Sequence, residues 1–501
     1  MRRGASLAEA FTVFDRDGSG YLTADEVMQI LLRQGGGHPL SYQDAHQFIN
    51  AFDINGDGVL NYSEFCMAFG NAPASGATSI GVRRDRTVQY DDAVGLASHV
   101  TWLKHGGERL ERLLAVVPRL GDSPVRLVDA RYFLTEIAGY RDEGSGYYSL
   151  MGAQPRILPK RQELPDKAFI TLDQLRQMNH SQRGGQECLR IIVVSHMWLQ
   201  PDHPDPKMTT VKDLAKAIMA LVHDKGGTFG LFVDFMSVLQ KDKAGNRTPQ
   251  ETELFKMVFE GQGMTSELYS HAGTYVFKVT KQPHGYPAGF SFPPGIQANQ
   301  AEYDRRGWCY MESSVANFVK PAEIVIDLSK LPDTWETEVP NWDDYLRAGR
   351  LRGPPLVPVA FNERLQTMRF TTPAIDGPAV YEMYKSAFSS HYGAAEELEF
   401  QSMQWGDAEA IEFAQVISSG VLTNLKRLRL DKNNIGDVGM AELARSIATG
   451  GLPKLEKISL NSNPGDHGLV SRAVQQSPGG HGKPAKVGSS LRDQLDDDWQ
   501  W

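Results

Sequence analysis

The 501-residue sequence predicts a multidomain protein made of an all-α segment, an α/β segment with a parallel sheet, and a short strand-and-helix solenoid. Three observations predict this order. Residues 1–70 repeat Asp, Gly and Phe at regular intervals, residues 187–335 alternate short β-branched runs with helix-length stretches, and residues 395–476 contain a 30-residue repeat. At about 150 residues per domain, the chain has room for three such units.

The composition excludes several classes of protein. With 52 Lys and Arg against 61 Asp and Glu, the net charge is −9, so nucleic-acid binding through bulk positive charge is not expected. No apolar run reaches the roughly 18 residues of a membrane-spanning helix. Cys66, Cys188 and Cys309 are too far apart for a C-x-x-C motif, which favours a reducing compartment. We recognise no signal peptide and no N-myristoylation site, so we expect a cytoplasmic protein.

The boundaries between segments follow from changes in composition and pattern. Small, polar and Gly/Pro-bearing stretches indicate linkers, and a Ser/Gly/Pro/Lys-rich stretch that turns acidic indicates disorder. The expected organisation is an N-terminal pair at 1–70, a linker at 71–86, a mostly helical lead-in at 87–186, the α/β segment at 187–335, a connector at 336–394, the repeats at 395–476 and a disordered tail at 477–501.

Two twelve-residue loops, DRDGSGYLTADE at 15–26 and DINGDGVLNYSE at 53–64, are the strongest motifs. Each has Gly at position 6, which permits a sharp turn, and oxygen donors at alternate positions. Ca²⁺ is a hard cation that takes 6–8 oxygens at about 2.3–2.6 Å, so the loops predict two calcium sites. The predicted metal ligands are Asp15, Asp17, Ser19, Tyr21 and Glu26 in the first loop, and Asp53, Asn55, Asp57, Val59, Asn61 and Glu64 in the second.

Amphipathic helical patterns enter and leave both loops, and the apolar eighth positions, Leu22 and Leu60, predict a short β-contact between them. Residues 5–70 resemble a calmodulin-type EF-hand pair. This resemblance implies calcium binding and opening of the helix pair. The same segment holds 4 Arg and 9 Asp and Glu, so it contributes −5 of the net charge. A degenerate pair that folds without metal and a simple calcium buffer remain as alternatives.

The sequence predicts four strands in the α/β segment, and polar side chains follow three of them. The strands are expected at 189–194, 229–233, 274–279 and 323–326, with helices at 91–117 and 209–224 and a Pro/Gly-rich loop at 281–300. In an open parallel sheet, ligands bind beyond the carboxyl ends of the strands. The residues expected at that edge are Ser195, His196, Trp198, Asp234, Gln240, Trp308, Cys309 and Glu312.

These blocks resemble the heterokaryon-incompatibility (HET) domain, which is similar to the Toll/interleukin-receptor (TIR) fold. The matching motifs are S-x-x-W at Ser195 and Trp198, D-x₅-Q-x-D at Asp234, Gln240 and Asp242, and R-x-W-x₃-E at Arg306, Trp308 and Glu312. The resemblance implies that Glu312 occupies the place of the catalytic glutamate of TIR domains that cleave NAD. A carboxylate can stabilise the oxocarbenium-like state of that reaction, and Asp234 or Ser195 would orient the substrate.

Other interpretations of these residues stay open. In one alternative, Glu312 is a first-turn carboxylate that the helix dipole favours. In another, Trp308 and Cys309 are core residues and His196 is a packed histidine. The run PDHPDP at 201–206 suggests a metal site or, because prolines flank its acids, a rigid loop.

The C-terminal repeat resembles leucine-rich repeats of the strand-plus-helix kind. The first copy of the pattern has Leu425, Leu428, Leu430, Asn433 and Ile435. The first four positions recur 30 residues later as Leu455, Ile458, Leu460 and Asn463, whereas the position of Ile435 does not. The resemblance implies a surface that binds a protein partner, and self-association of the α/β domain is the other expected protein contact. The sequence thus leaves three functions open: a calcium-gated enzyme that cleaves NAD, a non-catalytic calcium-dependent adaptor, and a calcium buffer.

Overall fold

The computed structural model describes most of the chain from residue 107 to residue 476 and a few short pieces outside that span. The described residues are 21–23, 49, 60–61, 107–144, 147–149, 155–178, 180–181, 187–198, 200, 203–206, 208–242, 244–259, 265–281, 301–331, 341–349, 351–370, 373–476 and 486–488. The predicted linker at 71–86 and nearly all of the predicted Pro/Gly-rich loop lie outside these residues.

A short antiparallel ladder joins the two N-terminal loops. Strand β1 (Tyr21–Leu22) pairs with β2 (Leu60–Asn61), with Leu22 opposite Leu60 and Tyr21 opposite Asn61. Leu22 is fully buried. The prediction that the eighth positions meet in a β-contact is therefore confirmed. The other predicted ligands lie outside the described residues: Asp15, Asp17, Ser19, Glu26, Asp53, Asn55, Asp57, Val59 and Glu64.

The central part of the chain contains both helices and strands, and several of the strands lie in the lead-in at 87–186 that the sequence predicts to be mostly helical. In chain order they are α1 (Gly107–Leu114), β3 (Leu127–Asp129), α2 (Ala130–Tyr132), β4 (Arg141–Gly144), β5 (Tyr147–Ser149), β6 (Phe169–Ile170), α3 (Leu172–Gln177), β7 (His180–Ser181), β8 (Glu187–Cys188), β9 (Ile191–His196), α4 (Thr209–Lys225), β10 (Gly230–Phe232), α5 (Asp234–Ser237), α6 (Pro249–Phe259), α7 (Thr265–Ser270), β11 (Tyr275–Val279), α8 (Gly307–Ala316) and β12 (Val325–Asp327).

A six-stranded sheet is the centre of this region, with strand order β12-β11-β9-β10-β3-β6. The first four strands are parallel to their neighbours, as predicted, and β9 is buried along its whole length. Strands β3 and β6 are antiparallel, and the sequence analysis does not predict them. The sheet is thus mixed and takes two strands from the predicted lead-in at 87–186.

Three helices, α9 (Trp342–Gly349), α10 (Pro358–Leu365) and α11 (Pro373–Ala394), occupy the predicted connector. A second sheet of four parallel strands follows. Its elements are β13 (Glu397–Glu399), α12 (Asp407–Ser418), β14 (Arg427–Arg429), α13 (Asp437–Ala448), β15 (Lys457–Ser459), α14 (His467–Gln476) and β16 (Lys486–Gly488).

The pairing of these strands follows the 30-residue period of the sequence. Leu398, Leu428 and Ile458 are opposite one another on successive strands, and Val487 continues the row. The helices α12, α13 and α14 lie between the strands at the same spacing. The prediction of disorder across 477–501 is wrong for 486–488, where one apolar residue, Val487, is enough to extend the row.

Asn433 connects two turns of this array through its buried side chain. Its Nδ2 donates to the carbonyls of Phe400 (2.7 Å) and Leu430 (3.0 Å), and its Oδ1 accepts from the backbone of Met403 (2.8 Å) and Trp405 (3.2 Å). Asn463 makes the equivalent bonds one repeat later.

Asn433→Ala is expected to lower the free energy of unfolding by about 2–4 kcal/mol, because it leaves several buried backbone groups without partners. Urea unfolding followed by circular dichroism measures the change. The matched control is Asn434→Ala, because Asn434 is adjacent but exposed. Equal loss of stability in the two variants would contradict the structural role of Asn433.

One hydrophobic core extends from the α8 face of the central sheet into the repeat array. It includes Val193 and Val276 of the sheet, Tyr384 of α11 and Leu428 of the array. The array therefore packs on the preceding region, as the small number of repeats predicts. Within the described part of the chain, no helix combines the length and apolarity needed to cross a membrane.

Candidate functional site

The last two residues of β9 direct polar side chains to both faces of the sheet. Successive side chains of a strand alternate in direction, so Ser195 and His196 lie on opposite faces. Ser195 contacts Glu312 of α8, and His196 contacts Asp234 at the start of α5. The carboxyl end of the central strand therefore brings together Ser195 and Glu312, and places the predicted residue Asp234 close by.

A chain of three hydrogen-bonded groups ends at Glu312. Ser195 Oγ donates to Glu312 Oε2 at 2.5 Å, and the hydroxyl of Tyr303 lies 2.6 Å from Ser195 Oγ. Because the single serine proton is directed at Glu312, the tyrosine is the donor in the second bond. Ser195 and Tyr303 are buried, whereas Glu312 is partly exposed. Tyr269 also hydrogen-bonds to Glu312, so the carboxyl group is held by two residues while the side chain stays partly exposed.

Burial raises the pKa of Glu312 from its ordinary value of 4.5 to about 8. The hydrogen bond from Ser195 opposes this shift, and the negative charge of Asp234 adds to it. The side chain is therefore mostly neutral at pH 7 in the free protein. A cationic ligand beside it would favour the ionised form, because opposite charges stabilise each other most where water is excluded.

Asp234 is the second polar centre of this edge. Its Oδ1 lies 3.1 Å from Nε2 of His196, and its Oδ2 accepts from Nε1 of Trp198 at 2.7 Å. Burial raises the pKa of Asp234, and the attraction of His196 and the hydrogen bond of Trp198 oppose the shift. Gln240 Nε2 donates to the Asp234 carbonyl at 3.2 Å. Trp198 of the first motif and Gln240 of the second thus both contact Asp234.

Arg306 of the R-x-W-x₃-E motif contacts Trp198 of the S-x-x-W motif. Its Nη1 donates to the carbonyl of Trp198 at 2.6 Å, and Arg306 immediately precedes α8. Cys309 is buried beside Met197 and Tyr303, and burial raises the pKa of its thiol well above the ordinary value. The expectation that Cys309 is a core residue is confirmed.

Trp308 packs on the edge of the core rather than pointing into the polar cluster. Its ring meets Phe259 edge to face, with 5.7 Å between centroids. Helix α8 begins at Gly307, so Glu312 lies in its second turn. The alternative interpretation of Glu312 as a first-turn carboxylate is therefore wrong, and the helix dipole does not account for its position. His196 is buried, which agrees with a packed histidine.

The contacts around PDHPDP favour a rigid loop. His203 Nε2 lies 3.0 Å from the carbonyl of Leu158, and the backbone amide of Asp205 donates to His203 Nδ1 at 3.0 Å. Asp205 Oδ2 accepts from Val211 in α4. Both ring nitrogens of the histidine are thus engaged within the protein. Across the described residues, no group of three or more His, Cys, Asp or Glu side chains is arranged to hold a metal ion.

Tyr303 of the site and Lys278, which lies opposite Ser195 in the sheet, were not singled out from the sequence. Tyr303 follows a Pro/Gly-rich stretch and has no distinguishing pattern. Lys278 interrupts the otherwise apolar strand YVFKV, and a charged residue inside a buried strand is a signal that sequence reasoning could have used.

The N-terminal loops supply the other candidate site. The ladder between β1 and β2 places position 8 of one loop opposite position 8 of the other, as expected when two such loops form one unit. Their donors are carboxylate, amide, hydroxyl and carbonyl oxygens, which suit Ca²⁺. Residues 5–70 match the model of the EF-hand domain pair. This segment is an EF-hand pair. EF-hand proteins bind Ca²⁺, and the chain binds calcium through this pair.

Short stretches of the chain are similar to curated calcium-binding proteins and calcium-dependent protein kinases. Calcium-dependent protein kinase 28 of Oryza sativa subsp. japonica is 38% identical over 101 residues, 19% of this chain and 18% of the relative. Calmodulin-like protein 2 of Arabidopsis thaliana is 36% identical over 59 residues, 12% of this chain and 39% of the relative. Calcium-binding protein E63-1 of Drosophila melanogaster is 42% identical over 59 residues, 12% of this chain and 30% of the relative. The chain thus spans less than half the length of each. No solved structure matches the chain.

Proposed function

We propose that the chain is a calcium-responsive signalling protein whose α/β region hydrolyses the nicotinamide–ribose bond of NAD at Glu312. The observation behind the proposal is the Tyr303–Ser195–Glu312 chain at the carboxyl end of β9, with a partly exposed carboxylate of raised pKa. Carboxylates with perturbed pKa values occur preferentially at functional sites. The resemblance to HET and TIR domains supports the same residue.

Each group has a defined task in this reaction. The bond between C1′ of the ribose and the pyridinium nitrogen breaks, and its electron pair neutralises the ring, so nicotinamide leaves without a general acid. Ionised Glu312 stabilises the positive charge that develops at C1′. Water adds to C1′ and releases a proton, which gives ADP-ribose and nicotinamide. Ser195 holds Glu312 in place, and Asp234 orients the substrate.

A route for calcium control starts at α1, the first described helix after the EF-hand pair. Arg109 Nη1 donates to the buried Glu267 of α7 at 2.8 Å. Burial raises the pKa of Glu267, but hydrogen bonds from His391 and Arg109 outweigh it, so the carboxylate is ionised. Two residues further along α7, Tyr269 bonds the Val194 carbonyl and lies beside Glu312. A movement of α1 would therefore reach the site through one short helix.

Arg109→Gln is expected to reduce the ratio of NAD cleavage with calcium to cleavage without it by at least half, while calcium binding is unchanged. The reason is that the variant removes the charged contact between α1 and α7. The control is Arg112→Gln on the exposed side of the same helix. An unchanged calcium ratio in Arg109→Gln would contradict this route and leave the hydrolase proposal standing.

The direct test of the hydrolase measures nicotinamide released from NAD by the wild type and by Glu312→Gln. Glu382→Gln is the matched control, because Glu382 is a 60% exposed glutamate of α11. Turnover in the wild type and the control, with little in Glu312→Gln, would support the proposal. Equal turnover in all three, or none in the wild type at any calcium concentration, would exclude it.

A calcium-dependent adaptor is the second candidate, and the strand face of the repeat array favours it. Glu397 and Arg427 pair at 2.6 Å, and Glu399 and Arg429 pair at 3.5 Å, beside Lys457 on the next strand. Such alternating charge on an accessible sheet face suits binding to another protein. Calcium-dependent association measured by light scattering, in a wild type without NAD turnover, would favour this function. A constant monomer without turnover would favour a calcium buffer.

A further inference from the structure

Lys278 is a buried cation in the same row of the sheet as Ser195. It is the fourth residue of β11 and is only 7% exposed. In the strand register it lies opposite Ser195 of β9 on one side and Asp327 of β12 on the other. Residues opposite one another on neighbouring strands face the same side of a sheet. Because Ser195 contacts Glu312 of α8, Lys278 lies on the α8 side, one strand away from the Ser195–Glu312 pair.

The positive charge of Lys278 has no close partner among the described residues. The carboxylate of Asp327 forms hydrogen bonds with other residues instead. It accepts from Thr280 Oγ1 at 2.9 Å and from the backbone amide of Ser329 at 3.0 Å. Asp327 attracts Lys278 only at longer range, and burial lowers the pKa of the lysine. A buried ammonium without a close counter-charge costs free energy, so an anion bound beside Lys278 would stabilise its charged form.

We propose that Lys278 binds a phosphate group, so that the site at Glu312 takes ribosyl 5′-phosphates, the class to which nucleotides belong. Neighbouring strands are about 4.8 Å apart, so Lys278 and Ser195 are separated by one strand spacing. In a nucleotide, C1′ and the 5′-phosphate are separated by one ribose ring. A ribose with C1′ at Glu312 would thus direct its phosphate towards Lys278. The position of C1′ rests on the proposed hydrolase, whereas the phosphate site does not.

Two general properties support this ligand. Ligands of open α/β sheets bind at the carboxyl ends of the parallel strands, and Lys278 is the penultimate residue of such a strand. Lysine is a common phosphate ligand that acts as a point charge. A bound phosphate would supply the counter-charge that Asp327 does not provide at close range.

The test compares the full-length wild type with Lys278→Met, which removes the charge and keeps the length, and with Lys278→Arg, which keeps the charge. Lys385→Met on α11 is the control, since Lys385 is 52% exposed. Calorimetry with inorganic pyrophosphate and with ADP-ribose gives the affinities. Thermal melting with and without pyrophosphate shows whether each variant is folded.

Pyrophosphate and ADP-ribose should bind the wild type and Lys385→Met equally, bind Lys278→Met at least tenfold more weakly, and bind Lys278→Arg at an intermediate strength. Without ligand, Lys278→Met should melt at or above the temperature of the wild type. Equal affinity of the wild type and Lys278→Met, or no binding to the wild type at millimolar pyrophosphate, would overturn the phosphate site.

NAD turnover separates this proposal from the hydrolase. Loss of pyrophosphate binding in Lys278→Met, with no NAD cleavage by the wild type, would support the phosphate site and exclude the hydrolase. NAD cleavage with the same KM in the wild type and Lys278→Met would support the hydrolase and overturn the phosphate site.

Discussion

Glu312→Gln is expected to reduce NAD cleavage about 10²–10³-fold, the usual cost of losing one preorganised group that stabilises transition-state charge. Glutamine has nearly the same volume and accepts the same hydrogen bond from Ser195, so its effect isolates the negative charge. The measurement is kcat/KM from nicotinamide release at saturating calcium. A loss smaller than tenfold would mean that Glu312 does not stabilise the developing charge.

The pH dependence of the same reaction follows from the pKa of Glu312. Since burial raises that pKa to about 8, roughly a tenth of the free protein carries the carboxylate at pH 7. Cleavage that needs the ionised form should therefore increase between pH 6 and 8 and level off above that. An activity that falls over this range would show that the neutral acid is the active form.

Stability provides an independent control for Glu312→Gln. Between the unfolded pKa near 4.5 and the folded pKa near 8, only the unfolded wild type releases the proton, so the wild type loses stability as pH rises through this window. The glutamine variant has no such loss. Its advantage in free energy of unfolding should grow from pH 5 to pH 8, and a lower melting temperature at pH 7 would indicate a misfolded variant.

Glu64→Gln and Glu26→Gln are each expected to remove most calcium affinity from one loop. Position 12 provides both oxygens of a carboxylate, and an amide provides only one neutral oxygen. Changes in the surroundings of metal ligands already cost about 10–100-fold in affinity, so the loss of this ligand should cost roughly 100-fold or more. Calorimetry should detect two sites in the wild type, one in each single variant and none in the double variant.

Asp44→Asn is the control for these measurements, because it removes an acid of the same segment that lies outside both loops. It should bind calcium as the wild type does. Wild-type affinity in the double variant would contradict the assignment of Glu26 and Glu64. The second loop should keep the tighter site, because its fifth position is Asp57 where the first loop has Ser19.

The amino-acid sequence predicts the parallel part of the sheet because its strands are long enough, or apolar enough, to show a pattern. Strand β9 has six buried residues and was recognised within two residues of its ends. Strands β3 and β6 have three and two residues and depend on pairing with the finished sheet. The strand at 486–488 was missed for the same reason. It is held by its pairing with β15, and the residues around it are polar.

The sequence predicts the part of the candidate site that lies at the carboxyl ends of the parallel strands. Ser195 and Glu312 are 117 positions apart, and only the rule that ligands bind at the carboxyl ends of parallel strands links them. Tyr303 is different, because its hydroxyl depends on how the chain returns to α8 after the Pro/Gly-rich stretch. Its direction is a property of the folded backbone rather than of a local pattern.

The release of nicotinamide from NAD by the full-length wild type, with calcium and with chelator, tests the central claim most directly. We predict release that increases severalfold with calcium, falls to the chelated level in the Glu26→Gln/Glu64→Gln double variant and is nearly lost in Glu312→Gln. No release under any condition, or release that is the same in Glu312→Gln as in the wild type, would contradict the claim that this protein is a calcium-responsive NAD hydrolase.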